Sequence, residues 1–134
     1  MDTFEKLVEE LDHDYNPDYW SDHIKLRVGE QVDELSDEHW SRLETIWQNQ
    51  SVGWRIRLAE ASFLSEKPRT IDLLIEMLKS PEPEVGCAVA ETLLEKNYQW
   101  SPEVSLLADL ERHLHRAAPQ ARGSIERLIA RLPA

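Results

Sequence analysis

Apolar residues recur along this chain at helical spacing, and the spacing itself repeats. Ile71, Leu74 and Leu78 stand at i, i+3 and i+7, the stripe that one face of an amphipathic helix presents. Trp40, Leu43 and Trp47 lie thirty-one residues upstream with the same internal spacing, and Leu107, Leu110 and Leu114 lie thirty-six residues downstream. A turn and a second amphipathic segment follow each stripe. These segments carry Trp54, Leu58 and Ala61, then Val85, Val89 and Thr92, then Ala121, Ile125 and Leu128, at the same two offsets. Six positions that repeat together predict stacked helix–turn–helix units, each too small to bury its apolar face alone.

Boundary residues agree with that division. Ser36, Ser51 and Ser101 precede helical patterns and are placed to cap them, each hydroxyl accepting a bond from an otherwise unpaired N–H. Pro83 and Pro119 are expected to open second helices, where a missing N–H costs nothing, and Ser101-Pro102-Glu103 adds a carboxylate near a positive helix end. The helix pairs are expected near 37–64, 70–97 and 102–132. Residues 1–35 lie outside the repeat. Phe4, Leu7, Val8 and Leu11 predict one short helix, and Asp14-Tyr15-Asn16-Pro17 predicts a turn. A second helix is expected from Asp18 to Leu35, with an apolar face of Tyr19 or Trp20, Ile24, Val28, Gln31 and Leu35. Such a segment would close the open end of the stack.

The run IDLLIEMLKSPEPEVGCAVAETLLE, from Ile71 to Glu95, resembles a HEAT repeat of the short bacterial type. The points of likeness are the turn Ser80-Pro81-Glu82-Pro83-Glu84-Val85 and the pair Ala90-Glu91, with Ala59-Glu60 repeating the pair one unit earlier. The resemblance implies an all-α, right-handed α-solenoid of about three HEAT-like helix pairs over 36–134, behind a helical cap at 1–35, in a single domain. One departure is Gly86, where the family usually carries a basic residue.

Charge changes the picture more than composition does. Net charge is −11, but residues 1–50 hold 14 acidic and 4 basic side chains, residues 51–100 hold 8 and 6, and residues 101–134 hold 4 and 5. The acidity therefore belongs to the N-terminal part. Such a field repels nucleic-acid phosphates and attracts a basic protein. An acidic start, Asp2 to Glu10, does not match a secretory signal, and no apolar run approaches the ~20 residues that span a bilayer. With the lone Cys87 unable to form an internal disulfide, a cytoplasmic location is expected.

Catalytic signatures are hard to find. Four scattered glycines make no phosphate-cradling loop, and no nucleophile elbow or zinc-protease pattern occurs. Cys87, between Gly86 and Ala88 on an apolar face, reads as a buried structural thiol. His113 and His115 point in nearly opposite directions on a helix, so surface ion pairs Asp109–His113 and Glu111–His115 are expected instead of a shared metal. Asp14, Asp18, Asp22 and His23 form an oxygen-rich group without a second ligand cluster. No metal, cofactor or catalytic residue is assigned.

Tryptophans are more telling. Trp40, Trp47 and Trp54 fall on repeat stripes and belong to the core, whereas Trp20 and Trp100 lie off them, as interface anchors or as rings folded over junctions. The expected function is protein binding without enzymatic activity, and its sharper form is a bacterial immunity protein that neutralises a cationic toxin. The side chains expected to meet the partner are Asp14, Asp18, Trp20, Asp22, Asp33, Glu34, Asp37, Glu38 and Trp100, with Glu60 and Glu91 extending the face along successive second helices. The alternative is a HEAT-like enzyme or enzyme accessory such as a chromophore lyase, to which the same resemblance extends.

Overall fold

The computed structural model describes residues 2–97 and 106–132, and these are helical with no strand among them. Helix α1 (Thr3–Leu11) starts where the Asp2 carboxylate accepts the Glu5 N–H at 2.7 Å. A short α2 (Pro17–Tyr19) runs into a π-helical turn, Trp20–Ile24, and on into α3 (Lys25–Asp33). The cap is thus helical as expected, with an under-wound turn that was not anticipated. Trp20, Ile24, Val28 and Val32 are buried, and each stands four residues from the next. Four residues of α-helix advance about 40° past a full turn, so this spacing drifts off one face unless a turn widens. The π turn absorbs the drift between Trp20 and Ile24. It also decides between Tyr19 and Trp20: the tryptophan is inside, and Tyr19 is 51% exposed. Gln31, expected on the apolar face, is only half-buried, and its neighbour Val32 takes the inner position.

The next two helix pairs follow the sequence closely. They comprise α4 (Asp37–Ile46) with α5 (Val52–Ala61), then α6 (Pro68–Met77) with α7 (Pro83–Glu95). Ser36 Oγ accepts the His39 N–H and Ser51 Oγ accepts the Trp54 N–H, both at 3.2 Å, as N-caps should. Pro83 occupies the first turn of α7. Asn97 closes that helix at φ 52°, the left-handed conformation that asparagine tolerates better than most residues. Trp40, Leu43, Trp47, Trp54, Leu58 and Ala61 are all buried, and so are Leu74, Leu78, Val85, Val89 and Thr92.

The third pair departs from expectation. Its described part is α8 (Leu107–Arg116), a 3-10 turn at Pro119–Ala121, and α9 (Gly123–Ala130). Pro119 opens the 3-10 turn, not the second helix itself, and Ala121 is exposed. Ser101, Pro102 and Glu103 lie outside the described residues. Leu107 is 42% exposed, while Leu106, Leu110 and His113 are buried. The inner stripe is therefore rotated by one residue from the one expected, and it places a histidine where α6 places Met77.

Second helices lie side by side: α3 packs on α5, α5 on α7, and α7 on α9. The contacts are close. A Cβ on Gly29 would stand 3.0 Å from the Ala61 carbonyl oxygen, so glycine lets α3 approach α5. Thr92 Oγ1 donates to the Ala59 carbonyl at 3.0 Å, tying α7 to α5. Helix α1 packs on α3 and α5 and is pinned there by two donors. Trp54 Nε1 reaches the Val8 carbonyl at 3.1 Å and Arg57 Nε the Leu11 carbonyl at 2.7 Å, satisfying last-turn carbonyls that the helix itself leaves unpaired.

A repeated hydrogen bond and its single exception explain Gly86. Arg55 Nε donates to the Gln50 carbonyl at 3.2 Å, and Arg122 Nε donates to the Ala117 carbonyl at 3.2 Å. These arginines occupy equivalent positions in the first and third pairs, each fastening the turn before its own helix. The middle pair has Gly86 there. Its turn is fastened from outside, by Arg112 on the carbonyls of Ser80 (3.2 Å) and Leu78 (3.0 Å) and by Arg116 on that of Pro81 (3.4 Å). His113 Nε2 lies 2.7 Å from the Leu78 carbonyl, and a Cβ on Gly86 would come within 2.5 Å of the imidazole. Glycine stands at 86 because the His113 ring fills that space. The expected Asp109–His113 surface pair is accordingly absent: His113 is fully buried and Asp109 bonds Arg112 at 3.2 Å. No Glu111–His115 ion pair forms among the described residues.

Candidate interaction surface

The acidic side chains singled out in the sequence fall into three groups. Asp14, Asp18 and Asp22 are exposed along the turn, α2 and the π turn. Between them stands a cluster of rings. Tyr15 stacks on Tyr19 at 6.0 Å and on Trp20 at 5.9 Å, His13 lies 5.5 Å from Tyr15, and His23 lies 4.9 Å from Tyr19. Trp20 is the folded-down member, 4% exposed, so it serves as the floor of the cluster and not as a surface anchor. Tyr19 takes the exposed role. The floor is fixed by a polar chain in which the Tyr15 hydroxyl donates to Glu10 at 2.5 Å and Glu10 pairs with Arg27. Burial and the Glu10 carboxylate push the Tyr15 phenol up to about 12, so it remains a donor at any physiological pH.

Asp33, Glu34, Asp37 and Glu38 form the second group, where α3 ends and α4 begins. Cations from the start of α6 partly occupy it. Lys67 donates to the Asp33 carbonyl, and Arg69 lies 3.4 Å from Asp37 and 3.0 Å from Glu44. Glu34 and Glu38 remain exposed with no ion pair among the described residues.

The third group lies on the second-helix row. Glu60 and Glu91 hold equivalent positions on α5 and α7, but the next equivalent position is Arg127 on α9. The acidic row therefore ends in a cation. Glu91, Leu94, Glu95, Arg127 and Arg131 line an open cleft of about 440 Å³, and Lys25 pairs with Glu95 at 3.9 Å from the α3 side. Burial lifts the Glu60 carboxyl above its usual range, Lys25 opposes the rise and Glu91 adds to it. Among the described residues the Trp20 indole N–H meets no acceptor at hydrogen-bond geometry, yet it lies near enough to Glu60 to oppose the rise.

Trp100 lies outside the described residues. Cys87 is half-buried, not enclosed. Its thiol donates to the Ala121 carbonyl at 3.4 Å, and burial holds its pKa above the usual thiol value, which disfavours the reactive thiolate. Among the described residues no three His, Cys, Asp or Glu side chains converge as metal ligands, Asp14, Asp18, Asp22 and His23 included. No helix there is long and apolar enough to cross a membrane.

Sequence reasoning missed Tyr19, whose exposure follows from the π turn, and a carboxylate rail on α1. Glu5, Glu9 and Asp12 are exposed on the side of α1 opposite Leu7 and Leu11. Their i, i+4, i+7 spacing was the available signal. No family model, curated protein or solved structure matches the chain.

Proposed function

We propose that the chain is a protein-binding module that holds a basic partner through the acidic, aromatic surface of its N-terminal part. The observation that carries this reading is the exposed Tyr19, stacked on Tyr15 at 6.0 Å with Tyr15 in turn on the buried Trp20 at 5.9 Å, and flanked by Asp14, Asp18 and Asp22. An aromatic ring of this kind offers contact area at low entropic cost, and uncompensated carboxylates around it steer a cationic surface and select against an anionic one. HEAT-like stacking of the helix pairs would supply the stiff support. In its sharper form the module is an immunity protein that neutralises a cationic toxin in the cytoplasm. The acidity of residues 1–50, far larger than that of the rest, supports that form.

The reading makes a direct demand on a capture experiment. Tagged protein incubated with lysate of its own strain at low salt should retain a basic protein. That protein should be released as ionic strength rises, and it should be lost with Tyr19→Ala combined with Asp18→Lys and Asp22→Lys. Retention by the triple variant equal to that of the parent would sink the reading. So would the absence of any basic protein at low salt.

One observation favours the alternative of a HEAT-like enzyme or accessory such as a chromophore lyase. Glu60 is a half-buried carboxyl held above its usual range, as general acids often are. It stands on the same row as the cleft at Glu91 and Glu95, which is open and carries both signs of charge. That supports electrostatic matching of another surface better than enclosure of a small substrate.

A further inference from the structure

A groove runs between α1 and α4 on the same acidic part of the molecule. The two helices meet where Phe4 stacks on His39 at 5.5 Å and the Arg42 guanidinium lies 4.5 Å from the Phe4 ring. Beyond that junction a cleft of about 360 Å³ is floored by Phe4, Val8 and Ile46, and Gln50 lies at its far end. Its α1 wall is the rail Glu5, Glu9 and Asp12. None of these three carboxylates has a cation within 4 Å among the described residues. Arg42, the cation lining the groove, is engaged by Asp2 at 3.7 Å and by Phe4.

We infer that this groove docks an amphipathic helix of the basic partner. Its apolar stripe would lie on the half-buried Val8 and Ile46, above the buried Phe4 ring, and its Lys or Arg side chains would lie along Glu5, Glu9 and Asp12. The inference rests on the proposed function, since it names the element of a basic protein that would be held. Spacing argues for a helix. The rail repeats at i, i+4 and i+7 over about 10 Å of helix, and an incoming helix offers cations and apolar anchors at that same period. Charge argues for a basic one: the rim carries three carboxylates beside one engaged cation. By contrast, the cleft at Glu91 and Glu95 is matched by Arg127 and Arg131, and the cleft at Trp47 and Pro81 holds Arg55, Lys79 and Glu76 together. The rail is also held in place before binding. Trp54 and Arg57 fix the Val8 and Leu11 carbonyls, so little ordering of α1 opposes docking.

The test uses the whole chain, 15N-labelled, and two synthetic peptides of about fifteen residues. One places Leu at i, i+3 and i+7 with Lys on the flanking positions. The other has the same composition in shuffled order. The patterned peptide should bind, shifting the amide signals of Val8, Ile46 and Gln50. Its affinity should fall about tenfold with Ile46→Lys and with the paired exposed changes Glu5→Lys and Glu9→Lys, a typical loss at an interface anchor. Glu111→Lys, the same charge reversal on α8, should change affinity by less than about twofold, since a distant exposed charge is screened. Three results would overturn the groove: equal binding of the shuffled peptide, shifts gathered at Tyr19 and Asp22 in place of the groove, or no binding of the patterned peptide at low salt. The first two leave the reading of a basic partner standing, and that reading fails separately, on the capture experiment with the triple variant.

Discussion

At the scale of single residues, the most instructive position is Gly86. Its equivalents, Arg55 and Arg122, each bond a carbonyl of the turn before their own helix. The middle pair gives up that arginine and admits the ring of His113 in its place. Helix propensity alone would favour alanine at an interior helical position by ~1 kcal/mol. Packing argues the other way, because the new Cβ would meet the imidazole at 2.5 Å while Nε2 is held at 2.7 Å by the Leu78 carbonyl. Gly86→Ala should therefore be destabilising, by about 1–3 kcal/mol as expected for overpacking. Urea melts read this directly, and a variant as stable as the parent would mean that the ring can move aside. The sequence flagged Gly86 as anomalous but not why, since the cause lies 27 residues away in a side chain read as superficial. Histidine is polar, so in the sequence the buried stripe Leu106, Leu110, His113 is less conspicuous than the all-leucine stripe Leu107, Leu110, Leu114.

Whole elements were more legible than their details. The stripes of α4 to α7 match the sequence pattern except at Ile71, which is half-buried beside a buried Thr70, because i, i+3, i+7 spacing fixes a helical face and large apolar side chains leave little choice of which way to turn. From Asp18 to Leu35 the sequence reads as one uninterrupted helix, because a π turn differs from an α turn by a single residue. Its trace is the run of fours from Trp20 to Val32, which period-3.6 reasoning treats as noise. That trace also says what the extra residue does. Without Ser21, which is exposed, Trp20 and Ile24 would stand three apart and still share a face of an ordinary helix. Deletion of Ser21 should thus leave the melting temperature unchanged or higher while rotating Tyr19 and Asp18 relative to Asp22 and His23. Loss of the captured basic protein with stability retained would place the π turn in recognition. A clear drop in melting temperature would instead make it a requirement of packing. Of the candidate surface, the carboxylates could be read from the sequence. Their division into three groups could not, because it depends on which cations the fold brings to them.

For the molecule as a whole, charge is partitioned along the chain, with a balance of −10 over residues 1–50 and +1 over residues 101–134. The fold keeps this asymmetry, since Arg27 pairs with Glu10 inside the N-terminal segment and Arg42 of α4 pairs with Asp2. Lys67 and Arg69, brought from α6, temper only the junction of α3 with α4. The groove along α1 and the ring cluster at Tyr19 remain outside their reach. An approaching cation would meet exposed carboxylates there that have no ion pair among the described residues, and their orienting effect would weaken beyond a Debye length of ~8 Å at physiological salt.

The attachment of α8 to the turn after α6 sets an order of failure for the chain. That turn is held by Arg112, Arg116 and the buried ring of His113. Burial holds the His113 pKa below its ordinary value, the Leu78 carbonyl opposes that, and Arg112 and Arg116 add to it. Below a pH of about 6.5 the unfolded chain takes up a proton more readily than the folded chain does, so stability falls as the solution is acidified below that value. The group that titrates belongs to this fastening. Amide exchange followed from neutral to mildly acidic pH should show α8 and α9 losing protection first, with α5 and α7 protected longest; uniform loss across all helices would contradict this. A mildly acid solution would then peel the chain from its C-terminal end while the acidic face at the other end keeps its shape.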